Sequence, residues 1–327
     1  MSFPPSFIQC GRSLVSDRPE EFSLEIPLEF AADHDTKVQG ELPVTQPEQR
    51  LLIENFMFAA TDKMQTQRFE LKYLIPEDTA LKVRNFVRSY LEVDEFGANQ
   101  PDHSYSVHSV YLDSDDLKLY WNTINGDKNR FKLRVRFYDD QPDVPVFLEI
   151  KRRMNDCILK QRCAVDRNAL HLVMRGYLVD PEHLLSRIPK HHFALQNFQR
   201  LMQEVFARPK VHIAYKREAY LSGDGGVRVT MDREVLGEPH FDASISTRMH
   251  RPVLSYRGLV ILELKFTNRF PNWFGELVRA SDVMQCGAAK YVSSINSIGS
   301  RRLNAPSPVA EEESLLSTCG PGEPLSH

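Results

Sequence analysis

Segment after segment of this chain alternates charge with apolar bulk at a period of two. RFELKYLI sets Arg68, Glu70 and Lys72 against Phe69, Leu71 and Tyr73. A pleated strand turns successive side chains to opposite faces, so this text builds one charged and one apolar face. The period returns in NRFKLRVRFY (Arg130, Lys132, Arg134, Arg136), VPVFLEIKRR (Glu149, Lys151, Arg153) and CILKQRCAV (Lys160, Arg162). It returns again in RPKVHIAYKREAYL (Tyr215, Arg217), VRVTMDREV (Arg228, Thr230, Asp232, Glu234) and LVILELKFT (Glu263, Lys265). YSVHSVYLDS reads as one further strand. The opposite parity is apolar almost throughout, as in Phe131, Leu133, Val135, Phe137 and Leu262, Leu264, Phe266. One such strand is the solvated edge of any antiparallel sheet. So many, all mainly cationic on one side, narrow the fold sharply.

The helical text shows which face is buried. PEDTALKVRNFVRSYL repeats Ala80, Val83, Phe86, Val87 and Leu91 at spacings of three and four, with acids in its first turn, which predicts an amphipathic helix. More helix is expected over 167–207, ending in HHFALQNFQRLMQEVF, and in PNWFGELVRAS and AAKYVSSINSI. These helices need an apolar sheet face to pack on. The expected fold is therefore α+β: a closed antiparallel β-barrel with a charged interior and helices packed outside. SGDGG at 222–226 reads as a hairpin turn, because no Gly-Lys-Ser/Thr follows to make a phosphate loop.

An interior with about ten Lys and Arg repels itself unless a polyanion neutralises it. Arginine offers a planar fork matched to phosphate oxygens and lysine a point charge, so rows of both along a channel suit linked phosphates. The carboxylates Glu70, Glu149, Asp232, Glu234 and Glu263 either pair with neighbouring bases or present hard oxygen to Mg²⁺ or Mn²⁺. Exposed aromatics sharing the basic face would be expected of a single-stranded nucleic-acid binder; here Phe and Tyr mostly take the other face, and no nucleic-acid partner is expected.

Charge is unevenly spread along the 327 residues. Positions 1–60 carry ten acids against four bases and 304–327 four against none, leaving 37 bases against 30 acids between them. The expected organisation is an acidic, partly disordered amino-terminal tail over 1–62, a folded domain over 63–300 and a disordered tail over 301–327. Five scattered cysteines without a CxxC argue against disulfides and zinc. His103, His108, His191 and His192 lack metal-ligand spacing. No apolar run of about 18 residues and no secretory leader is legible, so a cytoplasmic location is expected.

In order along the chain, Glu70-x-Lys72-Tyr73, LRVR (Arg134, Arg136), LEIK (Glu149, Lys151), LKQR (Lys160, Arg162), YKR (Tyr215, Arg217), VRVTMD (Arg228, Asp232), LELK (Glu263, Lys265) and AAKY (Lys290) resemble the VTC domain. This is the polyphosphate polymerase domain of the vacuolar transporter chaperone type, a branch of the triphosphate tunnel metalloenzymes. The resemblance spans roughly 66–298 and implies a tunnel barrel, Mn²⁺ or Mg²⁺, and transfer of the γ-phosphate of ATP or another nucleoside triphosphate to growing inorganic polyphosphate. It implies that Lys72, Arg134, Arg136, Lys151, Lys160, Arg217, Arg228 and Lys290 hold phosphates and that Glu263 holds metal, with Glu70 and Glu149 as further metal candidates. Arg162, Tyr215, Lys265 and Lys132 share the charged face and are expected to touch substrate.

One departure matters. The wider superfamily opens with two glutamates before the lysine, and here the first position is Arg68, which argues against a triphosphatase or cyclase more than against a polymerase. A hydrolase of nucleoside triphosphate or short polyphosphate, and a non-catalytic polyphosphate binder, remain alternatives. No SPX-type sensing domain or membrane helix is legible, so product export is expected to need a separate membrane partner.

Overall fold

A computed structural model of the chain describes residues 68–303, apart from 156, 268 and 282. The two expected tails fall outside the described residues, except for a single turn at Ser300–Arg302. The chain begins with strand β1 (Arg68–Pro76), helix α1 (Glu77–Val87), the short β2 (Glu92–Val93), a turn of helix α2 (Glu95–Ala98) and β3 (Ser104–Asp113). Then come α3 (Lys118–Ile124), β4 (Asn129–Phe137), β5 (Val146–Met154), β6 (Cys157–Val165), α4 (Leu170–Met174) and α5 (Pro189–Glu204). The chain continues with β7 (Arg208–Leu221), β8 (Val227–Pro239), β9 (Val253–Leu254), β10 (Leu259–Thr267), α6 (Asn272–Ser281) and α7 (Lys290–Ile298).

The strands form one antiparallel sheet in the order β1-β10-β8-β7-β3-β4-β5-β6, with β2 added to β7 and β9 to β8. Its apolar face carries the helices, as periodicity predicts. Phe198, Leu201 and Met202 of α5 pack on Val110, Leu133, Val135, Leu148 and Val165. Ala80, Val83 and Val87 of α1 and Phe274 and Leu277 of α6 pack on Tyr73, Ile75, Val229, Leu262 and Leu264. Each fully buried aliphatic or aromatic side chain stabilises the fold by about 1.5–3 kcal/mol before ordering costs are counted.

The sheet is rolled, but it is not a closed barrel. Lys151 on β5 reaches Glu70 on β1 at 3.1 Å. In a flat sheet with strands about 4.8 Å apart, the six intervening spacings would separate them by roughly 29 Å. Yet the edge strands β1 and β6 do not pair with each other. Other segments take their edge hydrogen bonds: Cys286 N–H donates to the Lys72 carbonyl at 2.9 Å, and Leu185 N–H to the Ala164 carbonyl at 3.1 Å. In place of the expected hydrogen-bonded closure, the edges are taken by segments distant in sequence, which strand patterns do not contain.

A second correction concerns α7. It packs not outside but on the charged side, where Tyr291, Ile295 and Ile298 meet Val107, Tyr111, Val211, Ile213 and Ile261. It comes so close to β8 that a Cβ added at Gly237 would lie 2.9 Å from that of Ser294. Glu234 also departs from its expected face. Ala214 and Lys216 of β7 oppose Leu236 and Arg233 of β8, a bulge that sends Glu234 (φ 50°) outward to within 3.9 Å of exposed Lys216.

Candidate functional site

Register carries the charged face from strand to strand. Glu70 lies opposite Lys265 and Lys72 opposite Glu263. Lys265 lies opposite Arg228, and Arg217 opposite Asp232. On the far half of the sheet, Arg134 faces Glu149 and Lys132 faces Lys151, while Glu149 and Lys151 in turn face Arg162 and Lys160. Residues directly opposite share a face, so the parity argument extends across the whole sheet. Eleven of its Lys and Arg residues, Lys290 of α7 included, gather around Glu70, Glu149, Asp232 and Glu263, with Asp94 beside Arg228 at the rim.

Two buried carboxylates organise these cations. Glu263 Oε1 accepts from Lys72 at 2.9 Å and Lys290 at 3.1 Å, and its Oε2 lies 2.5 Å from Lys265 and 4.0 Å from Arg217. Arg217 also forks onto Asp232 with two bonds of 2.7 Å, and Lys290 lies 2.6 Å from the same carboxylate. Burial pushes the Glu263 carboxyl up, but Lys265, Lys290, Lys72 and Arg217 outweigh it and hold it well below the usual range.

Glu149, 1% exposed, is the second centre. Arg134 lies 2.5 Å from it, Lys160 3.3 Å, Arg162 3.4 Å and Arg136 3.9 Å. Burial again acts upward and is again outweighed, by Arg134, Lys160, Arg136 and Arg162. Tyr215 joins the two centres. Its hydroxyl accepts from Arg136 at 3.0 Å, while its ring lies 5.2 Å from the Arg217 guanidinium and 4.9 Å from Lys290. Lys132 stands 5.9 Å above the Tyr291 ring, and Arg228 donates to Asp94 at 2.6 Å.

Apart from Glu234, every expected site residue thus lies on this face. The sequence reading missed its polar lining from β3. The Tyr111 hydroxyl accepts from Arg134 at 3.0 Å, and Arg136 donates to the Ser109 hydroxyl at 3.3 Å. The only charged residue of that parity in β3 is Asp113 at its end, which accepts from the Tyr291 hydroxyl, so only odd parity could have pointed to Tyr105, Ser109 and Tyr111. His191 and His192 lie in the first turn of α5.

Among the described residues no group of three or more His, Cys, Asp or Glu gathers as a metal cage. Glu70 and Glu263 still suit a hard divalent cation. The Lys72 ammonium sits between them, 2.8 Å from one carboxylate and 2.9 Å from the other, so a positive centre already occupies a seat between two hard donors. Mg²⁺ and Mn²⁺ commonly use one or two carboxylates and take their remaining ligands from phosphate and water. Glu149 offers no such pair: its ion-pair contacts run to Arg134, Arg136, Lys160 and Arg162, with no second carboxylate beside it among the described residues.

Crowding also shifts the lysines. Burial pushes the Lys132 ammonium down, and Lys151 and Lys72 add to the effect against the opposing Tyr111, leaving it at about 8. Burial does the same to Lys265, Glu263 notwithstanding, again to about 8. At Lys160 the pull of Glu149 is overcome by burial and three arginines, leaving about 7, although water screens a side chain 42% exposed. Ammoniums depressed in this way are partly deprotonated at pH 8 and regain protons beside phosphate. Binding of any polyanion across this face at pH 8 is therefore expected to take up protons, and its affinity to weaken from pH 6 to pH 9. Calorimetric titrations in buffers of different ionisation enthalpy measure this, and zero uptake at pH 8 would contradict it.

Comparison with known proteins follows the same span. The family model of the VTC domain matches residues 67–298. Vacuolar transporter chaperone complex subunit 4 of Schizosaccharomyces pombe is 24% identical over 178 residues, covering 49% of this chain and 25% of that protein. The match thus spans about a quarter of that relative's length. Among solved structures, a Bacillus halodurans protein provisionally assigned as an adenylate cyclase is 12% identical, covering 68% of this chain and 94% of its own, at a TM-score of 0.39. A conserved hypothetical protein from Pyrococcus furiosus is also 12% identical, covering 70% and 99%, at 0.34. Superpositions this loose say nothing of substrate.

Proposed function

The chain belongs to the VTC domain family, and from that premise we propose that it is a polyphosphate polymerase, transferring the γ-phosphate of ATP or another nucleoside triphosphate to a growing inorganic polyphosphate chain. The observation that carries the reading is the continuous in-register cationic face, whose eleven bases outnumber the carboxylates among them. Linked phosphates supply the missing negative charge at a regular spacing. Arg134, Arg136, Lys160 and Arg162 grip one stretch of the chain, and Lys72, Arg217, Lys265 and Lys290 grip the reacting end.

Phosphoryl transfer asks little covalent chemistry of a protein; it asks for alignment and neutralised charge. In this reading the attacking oxygen belongs to the terminal phosphate of the acceptor, already ionised at neutral pH, so no side chain has to remove a proton. Lys72 and Lys290 screen charge on the transferred group and Arg217 fixes its orientation. Glu263 and Glu70 would hold Mn²⁺ or Mg²⁺, which supplies further charge neutralisation when bound. Tyr215 keeps the two cation clusters in a fixed relation. No helix among the described residues is long and apolar enough to cross a membrane. We place the chain in the cytoplasm, with any product export left to a separate membrane partner.

The reading is tested by incubating purified protein with ATP and Mn²⁺ and resolving products on a gel stained for polyphosphate. Long polymer with matching ADP is expected, and product should stay bound with an affinity that falls steeply with salt. Free phosphate without polymer, under several metals and nucleotides, would instead establish the hydrolase. A non-catalytic binder is favoured by one feature, the three lysine ammoniums and the arginine gathered on Glu263. Tight polyphosphate binding without turnover under any metal would establish that reading.

A further inference from the structure

A buried phenol needs an acceptor for its hydrogen. Tyr120 donates to the Asn296 amide oxygen at 2.6 Å, Tyr220 to Glu218 at 2.6 Å and Tyr291 to Asp113 at 2.5 Å. Tyr111 of β3 and Tyr215 of β7 differ. Each hydroxyl accepts from an arginine of β4, Tyr111 from Arg134 and Tyr215 from Arg136, both at 3.0 Å. Among the described residues neither hydroxyl donates to a protein atom, so both hydrogens on the charged face are left unspent.

Tyr111 is held in place. Its ring stacks on Tyr291 with centroids 4.8 Å apart, and Tyr291 is tied to Asp113, which also accepts from the Leu119 and Tyr120 N–H groups of α3. Arg134, which donates to the Tyr111 hydroxyl, is fixed on its other side by Glu149 at 2.6 Å. The titratable groups facing the phenol are Arg134, Arg136 and Lys132 of β4 and Tyr291 of α7, while β7 meets it with Val211. Burial pushes the phenol up, but the three cations outweigh it and bring it down to about 8. Tyr111 keeps 7% of its surface open and Arg134 17% of its side chain, so both can be reached from the charged face.

We infer that Tyr111 is a further substrate-binding residue, whose O–H donates to a phosphate oxygen held by Arg134 while its own oxygen keeps that guanidinium aimed. The inference rests on the polyphosphate-binding reading above and adds a contact that the charge pattern does not announce, a neutral donor among cations. Cations attract phosphate from any direction, whereas a hydroxyl bonds along one line, so Tyr111 fixes the seat of one phosphate beside Arg134. The hydroxyl serves only while protonated. A phenolate pairs with Arg134 and repels the ligand, and a bound phosphate in turn keeps the proton on the phenol. Tyr215 repeats the arrangement with Arg136, two residues along β4.

The test titrates inorganic tripolyphosphate calorimetrically, in EDTA, into wild type and Tyr111→Phe, which keeps the ring on Tyr291 and removes only the hydroxyl. At pH 7 the variant should bind roughly ten- to a hundredfold more weakly, the usual cost of one hydrogen bond to a charged group. At pH 9 wild type should give up about tenfold of that advantage, because the phenol must first regain its proton; lysines that titrate nearby do so in both proteins. A second readout guards against a variant that folds poorly. Tyrosinate absorbance of free wild type should begin to rise near pH 8, and saturating tripolyphosphate should move that rise to higher pH. Equal affinities at pH 7, a gap unchanged at pH 9, or an early tyrosinate rise that the ligand leaves in place would each overturn the contact alone. Wild type that binds no tripolyphosphate at either pH would remove the polyphosphate reading and the contact with it.

Discussion

Replacing Glu263 by glutamine should lower turnover at least about a hundredfold, the usual loss when one strong electrostatic stabiliser is removed from a phosphoryl-transfer site. The amide keeps size and can still hydrogen-bond Lys72 and Lys290, which hold Oε1 at 2.9 and 3.1 Å. What it loses is the negative charge that a hard dication needs. Sequence parity alone gives Glu263 one neighbour, Lys265; the structure gives it four cations from four elements. The substitution should therefore leave binding of metal-free polyphosphate intact or tighter, since an inward negative charge is gone and the four cations are no longer neutralised by it. Steady-state rates across a Mn²⁺ titration, paired with polyphosphate binding in EDTA, separate these effects. Unchanged turnover with unchanged metal dependence would move the metal off Glu263, and Glu70→Gln would be the next variant.

Glu149→Ala is expected to cost stability on the order of 3–5 kcal/mol, because it strands several cations around a site 1% exposed. The pH dependence has a definite sign. The carboxyl is held well below its ordinary value by Arg134, Lys160, Arg136 and Arg162 against the upward push of burial. Its contribution is thus complete above the unfolded value of about 4.5 and drains away as pH falls toward the folded one. Guanidinium unfolding at pH 7 should separate wild type from the variant widely, and at pH 3 the gap should narrow. A constant gap would assign the loss to packing.

The same geometry revises what charge counting alone suggests for Arg134 and Arg136. Two arginines on one strand face should repel, so replacing both by alanine should cost phosphate binding yet relieve the fold. In the structure Arg134 donates to Glu149 at 2.6 Å and Arg136 to Tyr215 at 3.0 Å. The double variant leaves Glu149 with the longer contacts to Lys160 and Arg162, at 3.3 and 3.4 Å. It should lose stability as well as affinity.

Local patterns carried a large part of this. The limits of β6, β7 and β10 are those of the alternating segments themselves, and α1 and α5 fall within their predicted helical text. Parity placed Lys72, Arg134, Lys151, Arg217 and Lys265 on one face, and register then kept them together. Long-range packing decided what the patterns left open. Whether the rolled sheet closes depends on Cys286 and Leu185 reaching the edges of β1 and β6, contacts far apart in sequence. The spacing in AAKYVSSINSI predicts a helix but does not say that it enters the charged side, where Lys290 meets Asp232 and Glu263.

The most direct measurement follows the fate of a single phosphate. Protein is mixed with γ-labelled ATP, Mn²⁺ and an unlabelled short polyphosphate, and the label is counted over time in polymer and in free phosphate. The account predicts that label enters polymer one for one with ADP formed, and that charge-removing changes at Arg134, Arg217 or Lys290 abolish this while the protein remains folded. Label appearing as free phosphate, with none in polymer, would contradict it.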